Sequence, residues 1–200
     1  MRKVTLLLIM FFFAFSAVPA FACKPVRILP GGENKDPPAM ILSSDRQVMM
    51  KIIPPHYTWN RQRELVVDRN AYGEAFRLSR DGKLTLLWRM PLEAGSPGGV
   101  FGSYYLANDG QFLVRIRNAS GLEDKDAMVV YFRGKPSARY SPRTFMPKLK
   151  NLQIVPCVGG QWLKYSNNGQ NTVVLHESMI SFQTIDNKKW SFDIRKPLKN

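Results

Sequence analysis

Cysteine, histidine and acidic side chains are scarce in this 200-residue chain, with two, two and fifteen against 29 lysines and arginines. Two cysteines exclude a disulfide-dense scaffold and a zinc site built on cysteine. Two histidines leave little for a multi-histidine metal centre, so a site joining His56, His176 and remote carboxylates is set aside. The chain has no G-x-S-x-G, S-x-x-K, H-E-x-x-H, C-x-x-C or G-x-x-x-x-G-K-[ST] motif. No catalytic residue, cofactor or metal is therefore expected. What is present is apolar enough for a folded core, at 44% hydrophobic and 12% aromatic residues, and the length suits one domain.

The first 22 residues read as a secretory signal peptide. Arg2 and Lys3 precede an uncharged apolar run over residues 6–15, and Ala20-Phe21-Ala22 supplies an A-x-A cleavage site. A permanent membrane helix is the poorer reading, because Pro19 ends the run short of the roughly 20 residues a span needs. The expected location is periplasmic or extracellular. Cleavage would leave 27 basic against 15 acidic residues, or +12, and make Cys23 the first residue. A Cys23 to Cys157 disulfide suits an oxidising compartment and an even count. The alternative is a lipid anchor through Cys23, although Ala20 and Phe21 match a lipoprotein signal poorly.

Residues 23–40 hold Pro25, Pro30, Pro37 and Pro38 and read as an irregular arm. From 41 to 200 a single all-β domain is expected. Val48, Met50 and Ile52 alternate with polar or flexible neighbours, as do Leu84, Leu86 and Trp88, Met128, Val130 and Phe132, and Trp190, Phe192 and Ile194. Phe112, Val114 and Ile116 oppose Leu113, Arg115 and Arg117, which predicts a strand with one buried face. Ile180 to Gln183, a turn at Asp186-Asn187 and a return at Trp190 predict a hairpin. The turns repeat a small-x-Asp-Gly-polar form at Ser79 and at Ala107, with a weaker copy at Ser43 in which Arg46 replaces glycine. Asp45 to Ile52 aligns with Asp109 to Ile116, which suggests an internal duplication. Asp81 and Asp109 accordingly read as turn acceptors.

These serine, Asp-Gly and alternating-strand patterns, over about residues 41–140, resemble the repeats of bacterial WD-repeat-like and TolB-like β-propeller proteins. The chain as a whole is similar to secreted bacterial proteins of unknown function that carry such repeats. The resemblance implies an antiparallel meander forming a partial or small propeller, with a two-sheet β-sandwich as the alternative. It transfers no catalytic residue. Spacings of 36 and 28 residues between the Asp turns argue against a closed ring of regular blades.

Several shorter features read as structural. The run Pro54 to Trp59 reads as a loop folded over the sheet edge with Trp59 buried, against a binding surface of exposed aromatics. Glu123-Asp124-Lys125-Asp126 lacks the order of a calcium loop and reads as a solvated hairpin loop. The glycines at 95, 98 and 99 read as a flexible connection, and His176-Glu177 follows a strand over residues 172–175.

Charge carries the functional expectation. Residues 127–176 contain no carboxylate but hold Arg133, Lys135, Arg139, Arg143, Lys148, Lys150 and Lys164, with Tyr131, Phe132, Tyr140, Phe145, Trp162 and Tyr165 interleaved. Arg133, Lys135, Arg139, Arg143, Lys148 and Lys150 are the expected binding residues. For an exported protein, anionic envelope components or an acidic protein face are better partners than nucleic acid. A binding module is the leading class; a secreted hydrolase, with His176 and Glu177 as its only candidates, is the alternative.

Overall fold

A computed structural model describes residues 39–62, 64–92, 102–117, 119–155, 159–165 and 172–198. The proposed signal segment, most of the proline-rich arm, Gly95, Gly98, Gly99, Cys23 and Cys157 lie outside the described residues. The fold is all-β and antiparallel.

Three sheets succeed one another along the chain. The first joins β1 (Ala39–Leu42), β2 (Val48–Ile53), β5 (Tyr72–Leu78) and β6 (Leu84–Pro91) in that order. Between its second and third strands the chain makes a separate two-stranded hairpin, β3 (His56–Trp59) and β4 (Leu65–Arg69). The second sheet is a plain meander of β7 (Ser103–Leu106), β8 (Phe112–Ile116), β9 (Met128–Phe132) and β10 (Lys135–Tyr140). After a short helix, α1 (Pro142–Phe145), and a small ribbon of β11 (Gln153–Val155) with β12 (Gly159–Gln161), the third sheet follows. It comprises β13 (Val174–His176), β14 (Met179–Gln183) and β15 (Lys189–Asp193), the last two being the expected hairpin.

The pairing of β1 with β2 recurs in β7 with β8 at a constant offset. Ala39 opposes Ile52 and Leu42 opposes Met49; Ser103 opposes Ile116 and Leu106 opposes Leu113. The two turns also touch at equivalent positions, since Ser44 Oγ donates to Asn108 Oδ1 at 2.8 Å across 64 residues.

Local chemistry explains the turns. In the first, Ser43 Oγ donates to Asp45 Oδ1 at 2.6 Å and accepts from the Val48 amide at 3.0 Å, while Arg46 takes the positive φ of 59°. Ser79, Asp81 and Gly82 repeat this arrangement between β5 and β6. Ala107 lacks the hydroxyl, yet Asp109 Oδ1 still accepts from the Gln111 amide at 2.8 Å. A fourth copy escaped the sequence pattern: Thr184 Oγ1 donates to Asp186 Oδ1 at 2.5 Å, and Asn187 stands at φ 65° where the others have Gly or Arg. Asn tolerates that region, and Thr supplies the same hydroxyl as Ser.

The carboxylates of three of these turns, with Asp124 and Asp193, predict that stability falls in acid. Partial burial pushes the Asp45, Asp124 and Asp186 carboxyls up, but the hydroxyls of Ser43, Ser120 and Thr184, backbone amides and nearby cations together outweigh it. Asp81 is lowered chiefly by the Ser79 hydroxyl, and Arg195 holds Asp193 well below the ordinary range. Each folded-state value lies below its unfolded one, so the associated stability is full above about pH 5 and is lost as pH falls below about 4 through the depressed values. The urea midpoint should be level between about pH 5 and 7 and fall steadily below about 4. A midpoint unchanged down to about pH 2.5 would contradict the coupling.

Burial corrects four expectations. The second sheet is a middle layer: Leu113, Val129 and Tyr131 pack with Val48, Met50 and Trp88 of the first sheet, whereas Val114, Ile116, Met128 and Val130 pack with Ile180, Phe182 and Phe192 of the third. Strand β8 is therefore buried on both faces, and Arg115 is only 1% exposed, donating to the Asp126 carbonyl at 3.3 Å. Leu84 and Leu86 do not share the buried face of Trp88. Ala75 opposes Trp88 while Phe76 opposes Leu86, so Leu87 is an extra residue whose bulge sends the two leucines outward. The run from His56 to Trp59 is strand rather than loop, and Trp59 is 46% exposed rather than buried. Finally, the first strand starts at Ala39, inside the expected arm.

Candidate functional site

The turn over residues 107–111 is the point where the first two sheets lock together. Gly110 at φ 69° turns its carbonyl toward the first sheet, where Trp88 Nε1 donates to it at 2.6 Å. Arg77 opposes Val48 across the β2 and β5 ladder and thus shares the inner face. Its Nη2 donates to the Asp109 carbonyl at 2.8 Å. Arg133 reaches the same place from the tight turn after β9, at φ 47°. Its amide donates to the Gln111 carbonyl at 2.7 Å, and its guanidinium donates through Nε and Nη2 to Gln111 Oε1 at 3.3 and 3.1 Å.

A cavity of about 300 Å³ opens between these groups, lined by Arg77, Leu87, Trp88, Asp109, Gly110, Gln111 and Arg133. Leu87 and Trp88 give it an apolar wall, and two guanidiniums against the one acidic residue, Asp109, leave it net positive. Both arginines spend only part of their five-donor forks on the neutral oxygens just named, which leaves donors for an anion. The lining contains no histidine, cysteine, serine or lysine, and its ionisable residues are Arg77, Asp109 and Arg133.

Of the expected binding residues, Arg133 lines this cavity. Lys135 and Arg139 stand on β10, the outer edge of the second sheet, and both are exposed. Arg139 pairs with Asp126, and Arg143 Nε donates to Glu123 Oε1 at 2.8 Å. The acid-free stretch is thus partly neutralised in space by carboxylates just before it in sequence. Lys148 and Lys150 are exposed beyond α1. Among the described residues Lys135, Lys148 and Lys150 form no ion pair. Sequence reasoning missed Arg77, Trp88 and Gln111, whose roles depend on contacts between separate sheets.

The remaining candidates lie elsewhere in the fold. His56 Nδ1 lies 3.0 Å from Asp68 Oδ2 across the β3 and β4 hairpin. His176 ends β13, and Glu177 forms the tight turn into β14 at φ 52°. In the acidic loop, Asp124 accepts from Ser120 Oγ at 2.8 Å and from Arg117 Nη1 at 3.2 Å, a loop braced from within. Among the described residues no group of three metal-ligating side chains occurs, and no helix is long and apolar enough to cross a membrane.

Compared with protein-family models, curated proteins and solved structures, the chain matches none.

Proposed function

We propose that this is an exported binding module of propeller-like repeats that holds anionic, phosphate-bearing components of the cell envelope at its basic surface. The observation that carries the reading is the convergence of Arg77 and Arg133, from different sheets, on one cavity with neutral oxygens as their partners. Two guanidiniums at one opening favour phosphate or carboxylate groups, which accept paired donors. Lys135, Lys148 and Lys150 add exposed charge that draws such a surface nearer. The signal-like N-terminus supports export, and the 64-residue offset shared by two strand pairs supports the repeat reading. A Cys23 to Cys157 disulfide, or a lipid on Cys23 in its place, belongs to the same proposal.

Equilibrium binding to anionic phospholipid vesicles and to lipopolysaccharide, each at low and moderate salt, tests this reading. Binding should exceed that to zwitterionic vesicles and weaken as salt rises. The double change Arg77→Ala with Arg133→Ala should reduce it about tenfold, roughly 1.4 kcal/mol. Arg139→Ala and Arg143→Ala should matter less, because each guanidinium is already held by a carboxylate. Binding no better than to the zwitterionic control at either salt would refute the proposal, as would a double variant that binds like wild type.

A further inference from the structure

The cavity between the first two sheets sets two guanidiniums, Arg77 and Arg133, against one carboxylate, Asp109, so its lining carries a single excess positive charge. That carboxylate is fixed in place. Its Oδ1 accepts from the Gln111 amide at 2.8 Å, and the carbonyl of the same residue accepts from Arg77 Nη2. Its charge reaches beyond the cavity: Arg195, raised chiefly by its hydrogen bond to Asp193, is raised further by Asp109. Arg77 also acts on a second acid, Asp45 of the neighbouring turn, whose carboxyl burial raises and Ser43, backbone amides and Arg77 together lower. The two arginines therefore face a ligand with part of their charge already answered.

We propose that Asp109 is the specificity-determining residue of this cavity, selecting a singly charged phosphodiester over a doubly charged phosphomonoester; this rests on the anion-binding function proposed for the same cavity. Attraction between the lining and an anion grows in proportion to the ligand's charge, while the cost of taking the anion out of water grows as the square of that charge. One excess positive charge suits one negative charge. Asp109 also repels a dianion twice as strongly as a monoanion at the same place. The donors and the volume fit the same ligand. Among the described residues Arg77 spends one of its five N–H groups and Arg133 two, all on neutral oxygens, so each guanidinium keeps donors for one of the two free oxygens of a diester. About 300 Å³, the room of roughly ten waters, takes one phosphate with the first atoms of its two ester arms. Leu87 and Trp88, whose Nε1 is spent on the Gly110 carbonyl, offer those arms carbon.

Such a diester occurs as a phospholipid headgroup linkage and as a soluble glycerophosphodiester, so binding is measured in both forms at pH 8, where the monoester is a dianion. The lipid arm compares phosphatidylglycerol vesicles with phosphatidic acid vesicles diluted to equal surface charge; the soluble arm compares glycerophosphoglycerol with glycerol phosphate by calorimetric titration. Wild type should prefer the diester at least about threefold, and the arm in which it binds identifies the source. Asp109→Asn keeps an oxygen to accept from the Gln111 amide, so its urea midpoint should persist. Its preference should nevertheless fall to parity or reverse, mainly through tighter binding of the monoester. Arg133→Asn places a residue suited to the left-handed turn at φ 47° and should stay folded while losing both esters. A wild type that binds the monoester as tightly as the diester, or an Asp109→Asn variant with unchanged preference, overturns the role of Asp109 and leaves anion binding standing. Binding of the soluble diester alone supports the role of Asp109 and counts against an envelope lipid as ligand. Binding in neither arm overturns both.

Discussion

Replacing Phe145 with alanine should lower the unfolding free energy by about 3–5 kcal/mol. The residue ends the four-residue helix α1, which Pro142 starts with its φ already set for helix and which buries Pro142 and Phe145 on one side. Its ring is fully buried and touches five others. It stacks on Trp162 at 5.8 Å and Phe192 at 6.3 Å, meets Phe182 edge-on at 5.0 Å and Trp190 at 5.3 Å, and tilts against Tyr140 at 5.8 Å. These partners come from β10, the segment before β13, and both strands of the last hairpin, so a cavity there loosens the third sheet from the second. At about 2–4 °C per kcal/mol for a chain of this size, the midpoint of thermal unfolding should fall by roughly 6–20 °C. Phe145→Leu keeps most of the volume and should lose less than half as much. Circular dichroism melts decide it; a fall of less than about 2 °C for the alanine variant would show that the aromatic cluster is not the centre of this core.

What sequence made legible was local, and what it hid was distant. The turn at Ser43 is encoded within six residues, because the hydroxyl, the carboxylate and the amides they bind all lie in that span. The hairpin of β14 and β15 was readable for the same reason. Helix α1 was not, since four residues are too few for a helical period to appear. The bulge at Leu87 leaves no mark in the sequence, and one inserted residue exchanged the faces of Leu84 and Leu86 with that of Trp88. Two-sided burial of β8 was hidden by Arg115, a residue ordinarily assigned to solvent. The basic stretch shows the same limit in its electrostatics: the carboxylates that answer Arg139 and Arg143 lie 13 and 20 residues away, outside the window that looked free of acid. Arg133 was found from charge alone, but its cavity was not, because Arg77 and Gln111 are 32 and 22 residues distant from the groups they hold.

Two glycines in the same Asp-Gly context should respond very differently to alanine, and the contrast tests whether the turn over residues 107–111 is the joint between the sheets. Gly82 stands at φ 80° with open space where a Cβ would be placed. Alanine there pays the left-handed backbone cost alone, about 1 kcal/mol. Gly110 stands at φ 69°, and its Cβ would come within 2.6 Å of Leu87 Cδ1 and 3.0 Å of Val48 Cγ1. The leucine end is mobile enough to yield, but Val48 is buried in the interface between the sheets and has no room to retreat. Backbone strain and overpacking together should cost about 2–4 kcal/mol. That strain falls where Trp88 Nε1 grips the Gly110 carbonyl and Arg77 grips that of Asp109, so Gly110→Ala should also weaken anion binding at temperatures where the protein remains folded. Arg46 shows that a side chain is tolerated at the corresponding place in the first turn, at φ 59°. The penalty at Gly110 therefore belongs to its neighbours more than to its backbone. Equal losses of stability at Gly82 and Gly110, measured by urea denaturation, would mean that the second turn is an ordinary hairpin loop and that the two sheets are joined elsewhere.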